Sequence, residues 1–129
     1  MVPVAGGELR EADRHEIDKA IRVAEQACRY EFSVFVGRSE GAPRDFALRL
    51  HGASVVPDRS ILLMVDPTAR LIEVVTGADV RRTLDDREVE LAVLQMQTAF
   101  AEGDLVGGLV RGIVQLAEHA RTPETRHAR

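Results

Sequence analysis

The chain reverses direction within residues 60–77, SILLMVDPTARLIEVVTG. Ile61 to Val65 is apolar at every position, which is typical of a strand covered on both faces and predicts the central strand of a sheet. The next four residues, Asp66-Pro67-Thr68-Ala69, have the composition of a turn, with proline suited to its second position. Leu71 to Val75 returns as a strand. Because the two apolar runs are too close for a crossover, they predict an antiparallel hairpin.

Upstream of the hairpin, the sequence predicts a crossover unit. Phe32 to Val36 is short, aromatic and β-branched, as strands are. Gly37 to Pro43 has two glycines and a proline, which indicate a loop, and Asp45 to about Ala53 has the pattern of a short helix. A helix between two strands joins them in parallel with right-handed topology, so the first strand should lie parallel to the central one.

Helices are predicted before and after these strands. Apolar residues recur at three- and four-residue steps from Ile17 to Cys28, with Asp13 and Glu16 spaced as a capping box near the helix start. Gly108 and Gly112 would weaken a helix, so we expect another element to approach them closely. The segments predicted to be helical after the hairpin are Ala78–Leu84, Asp86–Phe100 and Asp104–Ala120. The sum is an α/β protein, a three-layer α/β/α sandwich around a small mixed sheet of about three strands.

Length and composition favour one domain, covering residues 8–120 of the 129, with a flexible segment over residues 1–7 and a disordered tail over residues 121–129. A net charge of -4 argues against non-specific nucleic-acid binding, which depends on neutralising phosphates. The single cysteine, Cys28, fits a reducing compartment and a place in the core. There is no secretory signal and no apolar run of about 20 residues, so we expect a cytoplasmic protein without a membrane span.

Two edges of the predicted sheet are candidate sites. The carboxyl ends of the parallel strands, where ligands bind in open α/β sheets, hold Gly37–Gly41 and the Asp66 turn. The hairpin also brings the end of the third strand beside the start of the second. That second edge has more polar groups, and we take it as the candidate binding edge. We call it the polar edge. Its candidate residues are His51, Asp58, Arg59, Thr76, Gly77 and Asp79.

The acidic residues near the polar edge allow two interpretations, which are not exclusive. Hard cations take oxygen ligands, so the carboxylates predict a calcium or magnesium site. The candidate metal ligands are Asp58, Asp79, Asp85 and Asp86. Alternatively, the acids stabilise helix starts. Thr76 and Asp79 are spaced as an N-cap and its N3 partner, as are Asp85 and Glu88, and Asp104 precedes the last helix.

The order of these elements, with the strand EFSVFVG and the segment Phe100–Leu109, FAEGDLVGGL, resembles a known family. The family is the TPM domain, named for a thylakoid-lumen phosphatase-like protein, a photosystem II repair protein and a worm receptor modulator. Phe100–Leu109 is similar to its F-x-x-G-x-Y-x-x-G-L signature, and the resemblance covers about residues 10–120. The chain would belong to a short, soluble, bacterial branch of this family. Of the Asp-Asn-Gly triplet usual before the family's central strand, only Asp58 matches, and Arg59 replaces the asparagine.

The resemblance implies an α/β/α sandwich and, in some members, acid phosphatase activity with divalent-metal binding. We therefore expect a TPM-like binding or accessory module that uses the polar edge to meet a protein partner or a small anionic ligand. The alternative is a metal-assisted phosphomonoester hydrolase, in which Asp58, Asp79 and Asp86 would hold the cation and Arg59 would meet the phosphate. Whether the protein is an enzyme stays open. An apolar face on either C-terminal helix is a candidate homodimer surface.

Overall fold

A computed structural model describes residues 9–121, and within them the chain forms a three-stranded sheet and four α-helices. The predictions for residues 1–7 and for 122–129 of the tail lie outside the described residues. The elements in chain order are α1 (Glu11–Cys28), β1 (Glu31–Val36), α2 (Pro43–Gly52), β2 (Ser60–Asp66), β3 (Leu71–Thr76), α3 (Asp86–Ala101) and α4 (Leu105–Ala120).

The sheet has the order β1-β2-β3, with β2 in the centre. β1 pairs with β2 in parallel, so that Phe32 lies opposite Ile61. β3 pairs with β2 antiparallel, so that Thr76 also lies opposite Ile61. The α/β class and the mixed sheet predicted from the sequence are confirmed.

Both faces of β2 are covered, which is why every residue of this strand is buried. Ile61, Leu63 and Val65 face a large core that is closed by α1, α3 and α4. Leu62 and Met64 face a smaller core beneath α2. Alternate residues of a strand point to opposite faces of its sheet, so a continuous apolar run demands a helical layer on each side.

Charged side chains cover polar groups along the outer edges of the sheet. On β3, Arg44 donates to the Val74 carbonyl at 2.9 Å, and Arg81 donates to the Thr76 carbonyl. On β1, the Phe32 N–H donates to the Glu25 carboxylate at 2.9 Å. Unpaired strand edges invite pairing with other chains, and charges placed on them oppose it.

Two local predictions were wrong. α1 begins at Glu11, because Asp13 is not its cap but accepts a hydrogen bond from the Arg10 N–H at 3.0 Å. Ala78–Leu84 forms only one 3₁₀ turn, Val80–Arg82, in place of two helical turns. Val80 is fully buried, so the segment is held by packing more than by helix propensity. No helix within residues 9–121 is long and apolar enough to cross a bilayer.

The expected close approach at Gly108 and Gly112 is confirmed. A Cβ built on Gly112 would overlap the Met96 side chain, and one built on Gly108 would lie 2.7 Å from the Phe100 ring. These glycines let α3 and α4 pack closely, which offsets their cost to the helix. Gly52, by contrast, has open space around it, because apart from its chain neighbours and the backbone of its own helix no heavy atom lies within 4 Å of the position that a Cβ would occupy.

We expect Gly112→Ala to lower the free energy of unfolding by up to about 2 kcal/mol, because overpacking against Met96 costs about 1–3 kcal/mol, of which the higher helix propensity of alanine offsets roughly 1 kcal/mol. The matched control is Gly52→Ala, which should be neutral or stabilising. Urea unfolding of both variants measures the difference. Equal stability of the two variants would contradict the packing account.

Candidate functional site

The structure brings together the two segments that the polar edge requires. The Gly77 N–H donates to the Ser60 carbonyl at 3.0 Å, and the Asp79 N–H donates to the Asp58 carbonyl at 2.9 Å. A Cβ on Gly77 would collide with the backbone of Pro57 and Asp58, so glycine is needed where β3 leaves the sheet. The predicted placement of Asp58 beside Asp79 is confirmed.

At this edge, Arg59 and Asp79 are held by each other and by their neighbours. Arg59 lies 3.4 Å from the Asp79 carboxylate, donates to the Arg29 carbonyl at 2.8 Å and sits 4.8 Å from the centre of the Tyr30 ring. Arg82 contacts the other carboxylate oxygen of Asp79 at 3.5 Å. Asp79 is therefore engaged by two arginines, which lowers its availability to a cation.

Two predicted site residues do not face an open edge. His51 is buried within α2, and its Nε2 lies 3.0 Å from the Ser60 carbonyl. Thr76 is buried as the last residue of β3. The capping interpretation of Thr76 with Asp79 is thus wrong, because Thr76 belongs to the strand and the Asp79 carboxylate pairs with arginines. His51 instead satisfies a buried backbone carbonyl.

Two further acids, Asp85 and Asp104, cap helices. Asp85 and Glu88 form the predicted capping box of α3, with the Glu88 N–H donating to Asp85 at 2.9 Å and the Asp85 N–H donating to Glu88 at 3.1 Å. Asp104 accepts from the Gly107 N–H at 2.9 Å. In the part of the chain that the structure describes, no group of three or more His, Cys, Asp or Glu side chains is arranged to hold a metal ion. Asp58, Asp79, Asp85 and Asp86 thus do not form such a group.

We expect millimolar calcium, magnesium or manganese to leave the melting temperature unchanged, because a cation at the polar edge would have to displace two arginines from Asp79. Ligands that bind only the folded form raise stability by mass action, so thermal unfolding with and without each metal is a direct readout. A rise in melting temperature that disappears in Asp79→Asn would contradict this expectation.

A large cleft lies at the opposite end of β2, where the strand ends at Asp66. Its volume is about 810 Å³. One wall is the β2–β3 turn with the start of β3, another is the α3–α4 turn, and the start of α1 closes the third side. The residues lining it are Leu9, Arg10, Asp13, Val65, Asp66, Pro67, Arg70, Leu71, Ile72, Gln97, Phe100, Ala101, Gly103, Asp104, Leu105 and Val106.

The walls of this cleft combine a group of apolar side chains with several charged ones. Leu71, Ile72, Phe100, Leu105 and Val106 all line it, and each is only partly buried. Four of these five, Ile72, Phe100, Leu105 and Val106, also pack against the main core. Large apolar concavities with a few polar groups are the usual form of a ligand site.

Asp66 organises the turn beside the cleft. Its buried carboxylate accepts hydrogen bonds from the Ser39 N–H at 3.0 Å, the Ser39 hydroxyl at 3.3 Å and the Ala69 N–H at 3.1 Å. Burial acts to raise the pKa of Asp66, but these hydrogen bonds outweigh it, and the pKa is lowered from its ordinary value. One carboxylate therefore fastens both the hairpin turn and the β1–α2 loop.

We expect Asp66→Asn to lower the free energy of unfolding at pH 7 by about 1–3 kcal/mol, because hydrogen bonds to the charged group are lost. Since the folded-state pKa is depressed, this stabilisation is full above about pH 4, the unfolded value, and is lost as pH falls through the folded pKa. The difference between wild type and variant should therefore shrink in acid. A difference that stays constant from pH 7 to about pH 2 would show that the carboxylate charge is not its source.

The cleft does not follow from the distribution of polar residues in the sequence, because much of its wall is formed by apolar side chains. The sequence predicts a candidate edge at the carboxyl ends of the parallel strands, and it contains the signature-like segment Phe100–Leu109. No local pattern predicts that this edge and this segment lie together. The fold does so, by placing the α3–α4 turn across the cleft from the β2–β3 turn. The signal that could have found the site is the run of apolar residues flanking both turns.

The fold and the cleft define a small α/β/α domain with a large concavity at the carboxyl end of its central strand. The chain belongs to the family described as a domain of unknown function (DUF5130), whose model matches residues 7–117. It is 34% identical over 105 residues to an uncharacterized protein of Mycobacterium tuberculosis, MT2543 in strain CDC 1551 / Oshkosh and Rv2468c in strain ATCC 25618 / H37Rv. The match covers 79% of this chain but only 61% of those proteins.

Three solution NMR structures share the fold. BA42 from the psychrophilic bacterium Bizionia argentinensis has a TM-score of 0.75 and 19% identity, covering 92% of this chain and 84% of that one. The N-terminal domain of a P. gingivalis protein has a TM-score of 0.76 and 23% identity, covering 92% and 80%. The N-terminal domain of the cg2496 protein from Corynebacterium glutamicum has a TM-score of 0.76 and 15% identity, covering 97% and 82%. At these identities the likeness concerns the fold alone.

Proposed function

We propose that this domain is a binding module and that its ligand site is the 810 Å³ cleft at the end of β2. The observation that carries the proposal is the meeting of the β2–β3 turn and the α3–α4 turn around five partly buried apolar side chains. Burying apolar surface is the main favourable contribution to association, and surface already shaped by a packed core can be buried with little reorganisation.

The cleft also accounts for the segment that the sequence singled out. Phe100, Gly103 and Leu105 of the TPM-like signature all line it. Gly103 has a φ of 85°, a left-handed conformation that favours glycine, and it turns the chain from α3 into α4. We keep membership of the TPM domain family as part of this proposal, with the signature serving to build one wall of the site.

Metal-assisted phosphomonoester hydrolysis at the polar edge is the second candidate. The observation in its favour is that Asp58 and Asp79 do lie at one rim, with Arg59 between them in the chain and in contact with Asp79. Against it stands the engagement of Asp79 by Arg59 and Arg82. A binding role at the cleft needs no such rearrangement, so we prefer it.

We expect Ala101→Trp to fill the cleft and to weaken binding of an uncharged apolar probe, N-phenyl-1-naphthylamine, by about tenfold or more, which corresponds to roughly 1.4 kcal/mol or more. Ala101 is exposed and lines the cleft, so a larger side chain can enter the cleft without disturbing the core. Probe fluorescence on titration measures the affinity.

The matched control is Glu102→Trp, at the next residue, which is also exposed but does not line the cleft. This variant should bind the probe as wild type does. The proposal fails if wild type does not bind the probe, or if the two tryptophan variants bind it equally well.

A further inference from the structure

The charges around the cleft indicate which ligands it selects, provided that the cleft is the binding site proposed above. We infer that it takes a small amphiphile with one acidic group, whose apolar body lies on the walls and whose acid meets the guanidinium of Arg70. Arg70 and Arg10 are the cations that line the cleft, and Asp13, Asp66 and Asp104 are its carboxylates.

Each carboxylate of the cleft already has partners. Asp13 accepts from the Arg10 N–H at 3.0 Å and lies 3.6 Å from the Arg10 side chain. Asp104 caps α4 and lies 3.3 Å from Arg111. Asp66 accepts the hydrogen bonds of its turn. A cationic ligand would have to compete with these contacts.

Arg70 differs from the other charged residues of the cleft. Within residues 9–121 its guanidinium makes no ion pair, and the residue is exposed. Its backbone is fixed, because its N–H donates to the Pro67 carbonyl at 3.3 Å and its φ is 58°, in the left-handed region. The hairpin turn therefore presents an arginine without an acidic partner among the described residues, beside the apolar walls that begin at Leu71.

An arginine in this position favours an oxyanion on the ligand. The planar guanidinium matches carboxylate, sulfonate and phosphate groups with two parallel hydrogen bonds. The cleft volume of about 810 Å³ lies within the usual range for sites that hold small molecules. An apolar body of two rings or a medium-length chain, with the acid at one end, satisfies both the walls and Arg70.

The test compares two probes that share one apolar skeleton. They are 1-anilinonaphthalene-8-sulfonate, which carries a sulfonate, and N-phenyl-1-naphthylamine, which carries no charge. Wild type should bind the sulfonate more tightly by up to about fivefold, which is the upper effect of an ion pair with an exposed arginine. Arg70→Gln should remove this preference and leave binding of the uncharged probe unchanged, while Arg70→Lys should retain part of the preference.

The matched control is Arg87→Gln, at an exposed arginine on α3 that does not line the cleft. It should keep the full preference, and the melting temperature of every variant confirms folding. Equal binding of the two probes by wild type, or a preference that survives in Arg70→Gln, would overturn the inference about the acid while leaving the cleft as a binding site. Binding of neither probe would overturn the cleft as well.

Discussion

The structure depends on the burial of one strand on both of its faces. All seven residues of β2 are buried, so the chain must supply a layer of helices on each side of it. Three helices cover one face and α2 covers the other. The close packing of α3 and α4, which Gly108 and Gly112 permit, completes the larger layer. A substitution that opens either layer exposes β2 to solvent.

The two ends of β2 meet the solvent in different ways. At its start, backbone hydrogen bonds and the Arg59–Asp79–Arg82 contacts occupy part of the rim, and the cavity beside Val56 and Ser60 has a volume of only about 310 Å³. At its end, the Asp66 carboxylate fastens the turn, and the α3–α4 turn stands away from it across the cleft. The first end therefore has a self-neutralised rim and a small cavity, whereas the second has a larger cleft whose walls carry both apolar and charged side chains. This contrast is the reason for placing the binding site at Asp66.

Much of the fold could be predicted from the sequence, since local patterns encode it. The continuous apolar run of β2, the turn at Asp66 and the close spacing of β3 were enough for the hairpin and the sheet order. The capping box of α3 and the close approach at Gly112 also follow from residue type and spacing. The helix start at Glu11 and the single turn at Val80 did not follow, because packing decided them. The prediction that His51 belongs to the binding edge was wrong for the same reason. Its partner is the carbonyl of Ser60, nine residues away, which only the packing of α2 on β2 brings close.

The cleft could not be predicted, because it lies between two turns that are distant in sequence and that only the tertiary fold brings to the same end of the sheet. Polar residues such as Asp79 predict a site at the other end of β2. In the structure, however, Arg59 and Arg82 neutralise the Asp79 carboxylate. The central claim is that ligands bind where β2 ends and not where it begins. Amide chemical-shift changes of the ¹⁵N-labelled protein on addition of an apolar naphthyl probe test it most directly. The account predicts the largest changes at Ile72, Phe100 and Leu105, and changes concentrated at Arg59, Gly77 and Asp79 would contradict it.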